Sequence, residues 1–327
     1  MASATLMPSS SREQHPRARW LPEGNRPSTT HPPVLGAYGH RTTGSEVFLT
    51  NWRRGPGDSW VVSAQWPRAH GFYEPVGGLH DPLLLIETVR QAGILLSHVA
   101  HRVPLDHPIV WQHVRYDLAP QALRAAGEPA EVELQITVHD VVRRGKRLIS
   151  ARQEFRVRCD GAHLAHARLI YSCYSPAGYR RLRGRYSDLA FATSRRLPVP
   201  EPVAPELVDR DRDRDVLLSP TDLPDRWQLR VDTSHPVLFD HPVDHAPGML
   251  MVEATRQAAR ATTPGVPMLP VSLECSFERY AELDAPSWVR ARMPDPATGG
   301  GARRVEVGVE QHGRPVVAAR ITSVPVS

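Results

Sequence analysis

Cysteine is scarce in this chain, with three in 327 residues. Cys159, Cys173 and Cys275 form no CxxC pair and leave one odd thiol. That argues against a disulfide scaffold and a cysteine-ligated zinc site, and it fits a reducing, cytoplasmic setting. Lysine is almost missing: of 40 basic residues, only Lys146 is not arginine. With 32 prolines and 22 glycines, this is the residue usage of a GC-rich genome. The net charge of +5 and the pI near 9.4 are therefore weak arguments for a nucleic-acid partner. No apolar run reaches the roughly eighteen residues of a membrane-spanning helix, and the opening MASATLMPSSSREQHPRAR lacks the apolar stretch of a secretory signal. At 41% hydrophobic and 23% charged the composition is globular. The length suits two domains, and the first reading is a soluble cytoplasmic protein.

Residues 1–43 are rich in Pro, Ser, His and Arg without periodicity and are expected to form a disordered tail. A second weak stretch carries LPVPEPVAPE and an alternating Asp-Arg run, and residues 184–214 are expected to be a linker. The flanking pieces, 44–183 and 215–327, resemble each other. LLLIETVRQAG (83–93) aligns with MLMVEATRQAA (249–259), superposing Glu87 on Glu253, Arg90 on Arg256 and Gln91 on Gln257. Trp60/Trp227, His70/His235, Tyr73/Phe239 and the Arg-Tyr pairs 115–116 and 279–280 keep nearly the same offset. An ordered series of this kind is the mark of an internal duplication. In each copy a strand leads into a His- and Pro-bearing loop, and an apolar helix opens at Asp81-Pro82 or at Pro247-Gly248. Alternating strands follow, with turns at Arg144-Gly145, Asp160-Gly161 and His312-Gly313. An apolar helix followed by an antiparallel meander is buried by curling the sheet around it. The predicted fold is α+β, two tandem hotdog units in one chain, a built-in pseudo-dimer.

Glu87, Arg90 and Gln91 share one helix face, and so do Glu253, Arg256 and Gln257. Charged groups on a wrapped helix are costly unless paired or functional. Each Glu pairing with its own Arg, or with Arg115 or Arg279, is the plainer alternative to catalysis. The loop HPVLFDHPVDHAPG (235–248) holds His235, His241 and His245 with Asp240 and Asp244. Nothing fixes them on one face as metal-ligand motifs do, so no metal or other cofactor is expected, and a structural or acid–base role is favoured.

The pattern HPxxFDHPxDHxPGMLMxEAxRQA resembles the helix-opening loop of the hotdog dehydratases of fatty-acid synthesis, but Phe239 and Tyr73 stand where their catalytic His would fall. A fuller likeness runs through VFLTNWRR, SAQWPRAHGFYEPVGGLHDPLLLIETVRQAGILLSH, the Arg-Tyr after the helix and the second loop. It is similar to the A-factor biosynthesis family of actinomycetes. That resemblance implies a β-ketoacyltransferase moving a β-ketoacyl group from acyl carrier protein, or coenzyme A, to the hydroxyl of dihydroxyacetone phosphate, the first step toward γ-butyrolactone or furan autoregulators. It further implies Glu87 as base, Gln91 as an orienting amide and Arg256 from the second copy as partner, with Glu253, Gln257 and Arg90 as the mirror set. Arg90, Arg115, Arg256 and Arg279 are candidates for holding phosphate, and His235 and His245 for contacting substrate. A monomer or a homodimer is compatible with the fused copies. A hotdog thioesterase or dehydratase, a non-catalytic butanolide or carrier-binding regulator, and a DNA-binding regulator are the rival readings. No helix-turn-helix pattern favours the last.

Overall fold

A computed structural model describes residues 36–75, 77–263, 265, 267–294 and 301–326. Most of the expected tail lies outside them. The first half carries β1 (Leu49–Arg54), β2 (Ser59–Trp66), helix α1 (Pro82–Val99), β3 (Ile109–Leu118), β4 (Ala130–Arg144), β5 (Arg147–Cys159) and β6 (Ala162–Cys173). Two short helices, α2 (Pro176–Arg183) and α3 (Leu189–Ser194), join it to the second half. That half has β7 (Leu218–Ser219), β8 (Arg226–Leu229), helix α4 (Gly248–Ala261), β9 (Met268–Phe277), β10 (Ser287–Arg292), β11 (Arg303–Gln311) and β12 (Arg314–Pro325).

Among the described residues, twelve strands form one antiparallel sheet in the order β1-β2-β4-β5-β6-β3-β9-β12-β11-β10-β8-β7. Read outward from the centre, both halves have the same topology, so the duplication seen in sequence is a duplication of architecture. The halves meet where β3 pairs with β9, Val114 opposite Cys275 and Arg115 opposite Glu274. Two of the hairpins turn at Asp160-Gly161 and His312-Gly313, where all four residues have positive φ, the geometry a right-twisted two-residue turn requires.

Helix α1 starts where Asp81 accepts from the Leu83 N–H and Pro82 needs no partner for a missing one. Nearly every residue of it is buried, because the first half of the sheet wraps it. Gly93 lets the helix approach β5 and β6 closely: a methyl group there would sit 2.7 Å from the Gln153 side-chain oxygen and 2.8 Å from Leu169.

Three expectations need correction. Residues 36–43 are not free tail, since Arg41 is buried between the halves. The stretch 184–214 is not a solvated linker, since Val203, Val208 and Arg210 are buried and the Val203 N–H bonds to the Leu218 carbonyl. Its prolines forbid long elements but not packing. Finally, Arg115-Tyr116 and Arg279-Tyr280 are not equivalent. The first pair sits inside β3, whereas the second lies beyond the end of β9.

Candidate active site

The shared polar face of α1 points at residues 36–48, and that of α4 at residues 209–217. Glu87 accepts from Arg41 Nε at 2.9 Å, from Arg90 Nη2 at 2.8 Å and from Gln91 Nε2 at 2.6 Å. Its second oxygen takes Arg41 Nη2 at 2.8 Å and Arg90 Nε at 2.9 Å. The second half repeats the cluster. Glu253 accepts from Arg210 Nε at 2.8 Å, Arg256 Nη2 at 2.8 Å, Gln257 Nε2 at 2.6 Å and, on its other oxygen, Arg256 Nε at 2.6 Å. The clamping arginines also cross between halves, Arg41 donating to the Val237 carbonyl and Arg210 to that of Phe72.

This arrangement changes the expected roles. Both glutamates are wholly buried, which alone would raise their pKa values, but two arginines and a glutamine amide apiece pull each down to about 2. Neither is a base tuned toward neutrality. Gln91 has no amide N–H to spare for a thioester, because Nε2 donates to Glu87 and to the Glu46 carbonyl while Oε1 accepts the Phe48 N–H. Gln257 is tied to Glu253, Asp215 and Leu217 in the same way. These residues staple each helix to its preceding segment.

A cavity of about 860 Å³ lies between the halves. Arg41, Arg90 and Ile94 of the first half face Asp240, His241, Asp244 and His245 of the second-half loop across it, with Gly248, Met249 and Met251 of α4. Trp111, Phe277, Leu238, Leu182 and Leu189 give it apolar walls. Of the expected residues it gathers Arg90, His245 and Arg279. Glu87, Gln91, Glu253, Arg256 and Gln257 are not part of its lining. Arg115 is half-exposed beside Asp117 at 3.0 Å, on the other side of the sheet from the packed Tyr116 and Val114. His235 is buried, its Nδ1 accepting the Val237 and Leu238 N–H groups and its Nε2 on Asp215 at 3.1 Å. His70 does the same for Phe72, Tyr73 and Glu46, so this pair of histidines shapes loops.

Two differences separate the related ends of the molecule. The start of α1 is closed by the Asp81 cap, whereas α4 begins after Pro247 with no side-chain cap, and Gly248 and Met249, whose N–H groups this leaves uncapped, both line the cavity. Asp81 also lies 3.8 Å from Arg210, giving that cluster two carboxylates for two arginines. Around Glu87 two arginines share a single carboxylate, and among the described residues Arg90 Nη1 has no protein partner. A second carboxylate borders this end, that of Asp240, but its oxygens are taken by the N–H and hydroxyl of Thr42 and the N–H of Thr43. His40 is held neutral, its pKa lowered to about 3 by burial, by His98 and by Arg90. The arrangement leaves a guanidinium facing an apolar cavity beside a helix N-terminus, where anions and oxyanions are stabilised. Among the described residues no cluster of His, Cys, Asp and Glu is arranged to hold a metal.

The family model for the A-factor biosynthesis hotdog domain matches residues 24–175 and 191–327. The chain belongs to this family. A 2-oxo-3-(phosphooxy)propyl 3-oxoalkanoate synthase from Streptomyces virginiae is 46% identical over 82% of this chain and 90% of its own length. One of the same description from Streptomyces coelicolor is 39% identical over 85% of this chain and 88% of its own. Among solved structures, one described as an oleoyl thioesterase from Lactobacillus plantarum shares the fold, with a TM-score of 0.50 at 14% identity over 82% of this chain and 97% of that one. The family relation and the shared fold agree with the α+β double hotdog.

Sequence reasoning missed Arg41, Arg210 and Tyr179. Arg41 and Arg210 sit at like distances before their helices, directly ahead of Thr42 and Asp211, but in segments without an apolar pattern. Extending the repeat comparison upstream of the first strand is the one signal that could have found them.

Proposed function

We propose that this chain is a β-ketoacyltransferase that esterifies the hydroxyl of dihydroxyacetone phosphate with a 3-oxoacyl group delivered as a thioester. It opens the synthesis of a γ-butyrolactone- or furan-type signal. The observation that carries this reading is the 46% identity to a synthase whose described product is that ester. The cavity fits its demands. Apolar walls suit the acyl chain, the uncapped N–H groups of Gly248 and Met249 suit the oxyanion formed from the thioester carbonyl, and Arg90 suits the phosphate. No helix among the described residues is long and apolar enough to cross a membrane, and the three free, buried cysteines suit the reducing cytoplasm in which we place the reaction. The donor is an acyl carrier protein or a coenzyme A thioester, the phosphopantetheine arm being common to both.

The test is to incubate the protein with 3-oxoacyl thioesters of both kinds, with and without dihydroxyacetone phosphate, and to follow products by mass spectrometry. A phosphorylated β-ketoester is expected. Free acid alone would make the protein a thioesterase, and no thioester consumption at any chain length would overturn the enzymatic reading.

A further inference from the structure

With Glu87 ion-paired outside the cavity, esterification still requires a group to take the acceptor's proton. We propose that His245, oriented by Asp244, is the general base. The inference rests on the transferase reading.

His245 Nδ1 lies 2.6 Å from Asp244 Oδ1. An ionised carboxylate only accepts, so Nδ1 carries the hydrogen of this bond, and in the neutral imidazole Nε2 then keeps its lone pair, the tautomer a base requires. Asp244 is held firmly. The Tyr179 hydroxyl donates to it at 2.9 Å, and Arg183 Nε reaches Oδ2 at 3.4 Å. Arg183 is itself fixed by Glu282 and stacks 3.9 Å over the Tyr280 ring. That ring packs edge-on against His245, 4.7 Å between centroids. Burial pushes the Asp244 carboxyl up, but the bond to His245, Arg183 and Tyr179 outweigh it and keep the group below the usual carboxylate range. Nucleophile activation by a base that a third group orients has this geometry.

Position strengthens the assignment. His245 lines the cavity and precedes Ala246, Pro247 and Gly248, so the base and the uncapped amides belong to one turn of chain. The repeat has Gly78-Leu79 at this place, and the other helix start is capped. Both devices occur together at one end of the molecule only. Tyr179, on α2, comes from the stretch that joins the halves, which ties that stretch to the site.

In the step itself, Nε2 removes the acceptor's hydroxyl proton as that oxygen bonds to the thioester carbonyl carbon, and the carbonyl π pair moves to the oxygen facing Gly248 and Met249. Collapse breaks the carbon–sulfur bond, and the leaving thiolate takes the proton from Nε2. Alcohol and thioester become ester and thiol, and His245 returns neutral.

The experiment compares wild-type protein, His245→Ala, His245→Asn and Asp244→Asn in ester formation from a 3-oxoacyl pantetheine thioester and dihydroxyacetone phosphate. Folding is checked by circular dichroism, and thioester binding with a non-cleavable amide analogue. Loss of a general base lowers kcat by roughly 10²–10⁴-fold. We expect that loss in both His245 variants with analogue binding retained, and partial recovery of His245→Ala by added imidazole. Asp244→Asn should lower kcat while leaving KM for both substrates within about twofold, the split expected of a positioning residue. If the wild type forms ester and a folded His245→Ala forms it at a comparable rate, the base assignment falls and the transferase reading stands. If the wild type forms none, both fall. Should His245→Ala not fold, His245→Asn, which keeps an N–H for Asp244, decides.

Discussion

Glu87→Gln separates a structural carboxylate from a catalytic one. In the structure the Glu87 carboxylate receives five short contacts, two from each of Arg41 and Arg90 and one from Gln91. Glutamine keeps one acceptor oxygen and turns an N–H₂ toward guanidinium N–H groups. About half the contacts are lost, and two arginines, one of them almost wholly buried, lose the carboxylate they are directly paired with. Breaking a buried pair from one side costs about 3–5 kcal/mol. Equilibrium urea unfolding of Glu87→Gln should show a loss of that size, and Glu253→Gln a smaller one, because Asp81 still faces Arg210 in that cluster. Had Glu87 been the base, as the helix pattern suggested, the substitution would leave stability near wild type and abolish turnover. A Glu87→Gln protein that unfolds at the wild-type urea concentration and makes no ester would refute the reasoning.

Three further outcomes follow from the same structure. Arg90→Met should raise KM for dihydroxyacetone phosphate at least tenfold with little change in KM for the thioester, since a charge-assisted bond to phosphate is worth about 1.5–3 kcal/mol. Steady-state kinetics with each substrate varied in turn will show the split. Both glutamates have folded pKa values below the ordinary one, so their stabilisation is complete above the usual carboxyl range and is lost as pH falls from about 4.5 toward about 2. Urea midpoints measured across that window should drop steeply, and far less in the double Gln variant. Gly93→Ala should cost about 1–3 kcal/mol by overpacking α1 against Gln153 and Leu169, read by the same unfolding assay.

Much of the fold was legible because the duplication wrote it twice. The helix openings at Pro82 and Gly248, the strands 147–159 and 303–311, and the positive-φ turns at Asp160-Gly161 and His312-Gly313 all follow from local chemistry. The Arg-Tyr match misled because a dipeptide carries no register: β3 and β9 meet through their hydrogen-bond ladder, which places Arg279 past the strand's end. The aperiodic stretches misled for a related reason. Proline and charge exclude long helices and strands, but they do not prevent a segment from packing through single residues such as Arg41, Val208 and Arg210.

By itself, the sequence determined the architecture, two copies of one helix-and-meander unit, and the presence of a Glu-Arg-Gln face on each helix, because these depend on periodicity and short-range spacing. Only the tertiary structure decided what those faces do. Whether a buried carboxylate is a base or an ion pair depends on which cations reach it, and here they come from distant segments, Arg41 for Glu87 and Arg210 for Glu253. The choice between two near-identical ends likewise rests on a cap present at Asp81 and absent at Pro247, and on which side chains border a shared cavity. Repetition in a sequence makes the two ends look alike, and three-dimensional packing makes them chemically different.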